Sequence, residues 1–121
     1  MQRVAISGGL FMAALTTALV VGAPRLARSQ DAEQLKKGEQ VYAAQKCSVC
    51  HSIAGKGSKT NPLDGVGSKL SAEDTRQWIV EPIEMAKKAN STKKPPMPKK
   101  YDKLPPAELD ALVAYMQSLK K

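Results

Sequence analysis

One pentapeptide, Cys47-Ser48-Val49-Cys50-His51, constrains this chain more than any other stretch. It holds both cysteines and the one histidine of the 121-residue sequence. The order Cys-x-x-Cys-His is the attachment signature for c-type haem. Each part has a chemical reason. Two thiols answer two vinyl groups, with one thioether to each. Two intervening residues give a spacing that a short helical turn presents to both vinyls. The adjoining imidazole then lies under the iron and can ligate it through one ring nitrogen. Three plainer readings use the same residues. The cysteines can form a disulfide staple in an exported domain. They can be a redox-active Cys-x-x-Cys, which usually sits beside a βαβ pattern, and none is visible. They can be half of a zinc site, but tetrahedral zinc wants four ligands and the chain has no second Cys or His cluster. The motif favours haem.

The chain divides near residue 30. Val4 to Ala23 is uncharged and mostly apolar, with Arg3 before it and Arg25 and Arg28 after it. That layout is an export signal. Ala27-Arg28-Ser29 offers small residues for cleavage before Gln30. Val21-Gly22-Ala23 is a second option, disfavoured by Pro24. The run also approaches the ~20 residues that span a bilayer, although Ser7, Gly8, Gly9, Thr16, Thr17 and Gly22 dilute it. Residues 1–29 therefore read as a cleaved signal or an uncleaved anchor, with residues 4–23 as the membrane tether. Either way, residues 30–121 lie in the periplasm or on the outer face of the cytoplasmic membrane. That suits covalent haem, because the thiols must cross the membrane before they react.

Residues 30–121 form one small domain with no Phe, one Trp (Trp78) and three Tyr (Tyr42, Tyr101, Tyr115). So small a domain barely buries enough surface to fold alone. A large apolar ring in its middle supplies the missing contact area. Three of the chain's nineteen Lys and Arg residues lie in 1–29, which leaves sixteen against eleven Asp and Glu. A basic chain often binds nucleic acid. Export and sparse aromatics argue against that, and a basic face steering the domain onto acidic partners fits better.

Asp31 is placed to cap a helix running to about Lys46, with Leu35, Gly38, Val41, Tyr42 and Gln45 on one face. Gly38 costs such a helix about 1 kcal/mol relative to Ala, which a close helix–helix approach explains. After His51, frequent Gly, Asn and Pro predict an irregular loop. One of its carbonyls should accept the second ring N–H of His51. Ser71-Ala72-Glu73-Asp74 predicts a capped helix to about Glu81. Pro82 opens another through about Ala89. Residues 90–103 carry Pro95, Pro96, Pro98 and five Lys. Met97, in so polar and stiff a segment, is a soft thioether held as an axial ligand should be. A last helix starts at Leu104-Pro105-Pro106 and runs to about Leu119, with Leu109, Leu112, Val113, Met116 and Leu119 as its apolar stripe. Tyr115 flanks that stripe, within reach of Gly38 and Tyr42.

Taken in order, the helix with Gly38 and Tyr42, the Cys47-x-x-Cys50-His51 motif, Met97-Pro98 and the helix with Leu112 and Tyr115 resemble the small monohaem class I cytochromes c. The resemblance spans essentially all of residues 31–121. It implies an all-α fold of four or five short helices around one covalent haem c, the first and last helices crossing near perpendicular. Gly38 and Tyr42 would meet Leu112 and Tyr115 at that crossing. It implies Cys47 and Cys50 as the thioether residues, His51 as proximal ligand and Met97 as distal ligand, with Met85 the rival. It also implies that a carbonyl near Asn61-Pro62-Leu63 receives the His51 ring proton, with Pro62 preferred over Asn61. Trp78 is placed to hydrogen-bond a haem propionate or to pack in the core.

The expected function is single-electron transfer by a monomeric carrier between redox proteins, with no catalysis of its own. Lys93, Lys94, Lys99, Lys100 and Lys103 on one side and Lys46, Lys56 and Lys59 on the other would form a basic rim. Two alternatives follow from the same motif. One is a haem subunit of a larger oxidoreductase. The other is a five-coordinate sensor or peroxidase, which requires Met97 to be off the iron.

Overall fold

A computed structural model describes residues 23–121. The chain opens in helix α1 (Ala23–Ala44). The expectation of a helix capped by Asp31 is corrected: Asp31 lies inside α1, because the preceding Leu26, Ala27, Arg28 and Gln30 are good helix formers too. The helix stops at Ala44 rather than Lys46, and Lys46 turns the chain with a left-handed φ of 55°. Of the signal or anchor expected over residues 1–29, residues 1–22 lie outside the described residues and the remainder falls in α1. Among the described residues, no helix is long and apolar enough to cross a membrane.

The last helix, α5 (Pro106–Ser118), begins with Pro at its first position, where the missing N–H costs nothing. Its stripe Leu109, Leu112, Val113 and Met116 is buried, and with Val41, Ile79 and Tyr101 it forms the core. Helices α1 and α5 pack directly on each other. Gly38 is the point of closest approach. A Cβ built there would lie 2.6 Å from the Tyr115 Cβ and 2.8 Å from the Ala111 carbonyl carbon. Beside it, Tyr42 and Tyr115 stack edge to face with ring centroids 6.0 Å apart. Gly38→Ala therefore gains about 1 kcal/mol of helix propensity but drives a methyl into a neighbouring backbone that cannot rotate away. Overpacking of this kind typically costs ~1–3 kcal/mol. The expected net result is a lower denaturant midpoint for the holoprotein, and an unchanged or higher midpoint would remove the close-approach argument.

Between these helices the chain forms an antiparallel hairpin, β1 (Ser52–Ile53) with β2 (Lys56–Gly57), and three shorter helices, α2 (Val66–Lys69), α3 (Ala72–Val80) and α4 (Pro82–Lys88). The hairpin was not expected. Its strands are too short to show a two-residue period, and its turn takes positive φ at Ala54 and Gly55, a geometry usually signalled by Asn-Gly. The cap of α3 is as expected: Ser71 Oγ accepts from the Asp74 N–H at 3.0 Å and donates to the Asp74 carboxylate at 2.9 Å. Helices α3 and α4 meet at Glu81, with Pro82 opening α4 and wholly buried. The described residues thus form the mostly helical architecture that the sequence predicts.

Candidate functional site

The site starts where α1 ends. Once Lys46 has turned the chain, Cys47–Val49 form a 3-10 turn. The His51 N–H bonds back to the Cys47 carbonyl at 2.9 Å, so both cysteines and the histidine share one short coil. Gly57 backs this coil with φ 102°, its missing Cβ leaving room for the His51 and Ser48 carbonyls, and the Ser58 N–H donates to the Ser48 carbonyl at 2.9 Å.

The His51 ring is held through Nδ1, 3.0 Å from the Asn61 carbonyl oxygen. Pro62 was the preferred acceptor, and the structure corrects this. Ser52 bridges to Pro62 in parallel register and its carbonyl accepts from the Leu63 N–H at 2.8 Å. That register brings the preceding carbonyl, Asn61, to the ring. Pro62 itself is exposed and lines neither of the two cavities that adjoin the coil. With the Nδ1 proton committed to a carbonyl, Nε2 is the nitrogen left to bind a metal.

Two cavities adjoin the coil. The larger, about 500 Å³, is lined by Cys47, Cys50, His51, Trp78, Met97 and Tyr101, among others. The smaller, about 240 Å³ and almost wholly apolar, shares five of these (Cys47, His51, Trp78, Met97 and Tyr101) and reaches inward to Leu112 and Met116. The larger volume falls within the ~300–1,000 Å³ typical of ligand sites. Met97 arrives from the Pro-rich segment and packs against the core cluster. Met85 sits on α4 and lines neither cavity.

A family model, Cytochrome c, matches residues 35–120. The chain belongs to the cytochrome c family. Comparison with curated proteins and with solved structures gave no match. The matched region runs from within α1 to beyond α5 and takes in every element that builds the cavities. Membership carries haem-based electron transfer and covalently bound haem c.

The residues of this cytochrome fit that group. The two cysteines are unbridged and both line the larger cavity. Burial pushes the Cys47 thiol up from its ordinary pKa. A redox-active Cys-x-x-Cys needs the opposite shift, a stabilised thiolate. Among the described residues, no group of three or more His, Cys, Asp or Glu is placed to hold a metal ion by itself. Tyr42 lines the apolar cavity with a buried hydroxyl that has no hydrogen-bond partner, and burial raises its pKa to about 12. Leaving such a group orphaned costs about 1–3 kcal/mol. A wall completed by a large prosthetic group accounts for a polar atom so placed.

The lysines divide. Lys46, Lys93 and Lys100 line the larger cavity, whereas Lys56, Lys59, Lys94 and Lys103 do not. Lys99 is spoken for by Glu81, their charged atoms 2.8 Å apart. Lys100 lies over the Tyr101 ring, 5.2 Å from its centroid. The expected rim of eight is thus reduced to three at the cavity itself.

Sequence reasoning passed over Tyr101 and Pro82, both of which line the larger cavity. A signal for Tyr101 was present: an aromatic in a Pro- and Lys-rich stretch is as out of place as Met97, four residues before it. For Pro82 there was none, since proline at a helix start is ordinary.

Proposed function

We propose that this domain is an exported carrier of single electrons, holding one haem c between His51 and Met97. The observation that carries this reading is that the chain brings Met97, and not Met85, to the cavity where Cys47, Cys50 and His51 converge. Bound haem c supplies a one-electron Fe(III)/Fe(II) couple.

The chain's own residues do the rest. Cys47 and Cys50 anchor the ring covalently from one coil. His51 presents Nε2 to the metal while Asn61 holds its other nitrogen and makes the imidazole a stronger donor. Met97 presents a thioether, which favours the ferrous state and raises the potential. Three prolines flank Met97 and limit the entropy lost in holding the sulfur in place. The apolar walls formed by Leu112, Met116 and Ile79 keep water out. Held by both His51 and Met97, the group would need no new bond in either oxidation state and would leave a small substrate no open position.

The test is a measurement on the purified protein made in a cell competent for cytochrome maturation. Intact mass should correspond to a chain starting at Gln30 plus one haem. The spectrum should change reversibly between oxidised and reduced forms, with no ready binding of carbon monoxide by the ferrous form at neutral pH. Ready binding would favour a sensor or peroxidase, and a retained Met1 would favour a tether.

Docking belongs to the same proposal. Lys46, Lys93 and Lys100 border the larger cavity, and beside them Val49 is 71% exposed. An apolar contact ringed by positive charge suits a redox partner with an acidic surface. The rate of electron exchange with such a partner should fall steeply as ionic strength rises through ~0.1 M, where the screening length is about 10 Å. A flat salt dependence removes the docking role of these lysines.

A further inference from the structure

The segment that carries Met97 is almost unattached. Residues 92–99 are exposed apart from Met97 itself. Their backbone contacts are local: the Lys93 N–H donates to Ser91 Oγ at 3.4 Å, and the Lys100 N–H to the Pro98 carbonyl at 3.1 Å. Among the described residues, one polar side-chain link ties this segment to the body of the domain. It is the ion pair between Lys99 Nζ and Glu81 Oε2, at 2.8 Å.

The two ends of that pair differ in rigidity. Glu81 joins α3 to α4, and its neighbour Pro82 is wholly buried and lines the larger cavity. Its backbone is thereby fixed beside the site. Lys99 sits on a chain stiffened by Pro95, Pro96 and Pro98. Stiffness lets a restraint at Lys99 act on Met97 two residues away, because the intervening backbone has little freedom to absorb movement. The neighbouring acid on α4, Glu84, is engaged by Lys87 at 2.8 Å.

We propose that Glu81 is a positioning residue which, through Lys99, keeps the Met97 segment closed over the cavity and so limits how often the thioether can be displaced. This rests on Met97 being a ligand. The pair is half-exposed, so its effect is modest: exposed pairs of this kind correspond to roughly a two- to five-fold change in an opening equilibrium. An opening step of that sort controls entry of any outside ligand for the metal.

The test uses the holoprotein and two readouts. The first is the rate at which imidazole replaces the native sixth ligand of the ferric form. The second is relaxation dispersion at the amides of Thr92, Lys93, Lys94, Met97 and Lys99 in the ferrous form, which reports conformational exchange of the segment without reference to ligand replacement. Glu81→Gln and Lys99→Gln should each accelerate both about two- to five-fold, and the double variant no more than either alone. The charge-swapped pair, Glu81→Lys with Lys99→Glu, should return both toward the native rates. Unchanged exchange in the single variants, or additive effects in the double, overturns the proposal. So does faster exchange with unchanged imidazole entry. If the native protein takes up imidazole at once and without a methionine charge-transfer band, the assignment of Met97 fails instead, and the amide readout alone decides whether the tie exists.

Discussion

Replacing Cys47 and Cys50 together with alanine should yield a chain with no covalently held pigment and no stable tertiary fold. The reason lies in the interior. The smaller cavity, about 240 Å³, is almost wholly apolar and lies beneath the core helix α5. Both cavities are partly open to solvent, so without the ring their apolar walls meet water and forgo burial worth roughly 25 cal/mol per Å². A small domain has only ~5–15 kcal/mol of stability in total. The larger cavity adds to the loss. Circular dichroism should show weakened helix and a broad, non-cooperative melt. A double variant that melts cooperatively at the native midpoint would show that the side chains suffice. A native protein that releases its pigment to acid-acetone would show that the cysteines do not hold it.

Met97→Ala should change the iron's chemistry while leaving the pigment attached. The ferric charge-transfer band of a methionine ligand should vanish. The ferrous form should bind carbon monoxide readily. The potential should fall by on the order of a tenth of a volt or more, within the ~0.8 V range that axial ligands command. Met85→Ala should alter none of these, since Met85 lines neither cavity. Retention of the band in Met97→Ala, or its loss in Met85→Ala, would reassign the ligand.

Much of this site could be read from residue types alone because its chemistry is local. The thioether motif occupies five consecutive positions, and the apolar stripe of α5 recurs at helical spacing. Gly38 announced a close approach because a glycine inside a helix needs a reason, and the packing against Ala111 and Tyr115 supplies it. What escaped was set by register and by distance along the chain. Whether Asn61 or Pro62 faces His51 depends on one bridge from Ser52, which no composition rule reports. The extent of the basic rim depends on which lysines reach the cavity and on the pairing of Lys99 with Glu81, eighteen positions away. The hairpin at Ser52–Gly57 was hidden because two-residue strands carry no period.

The hydrogen bond that steadies the proximal imidazole ends on main chain rather than on a side chain. Exchanging the residue at position 61 trims or enlarges a side chain and leaves that oxygen where it was. Basicity at the metal is therefore buffered against point substitution there. It answers instead to loop length, because gaining or losing one residue between Ser52 and Asn61 would carry the acceptor out of reach.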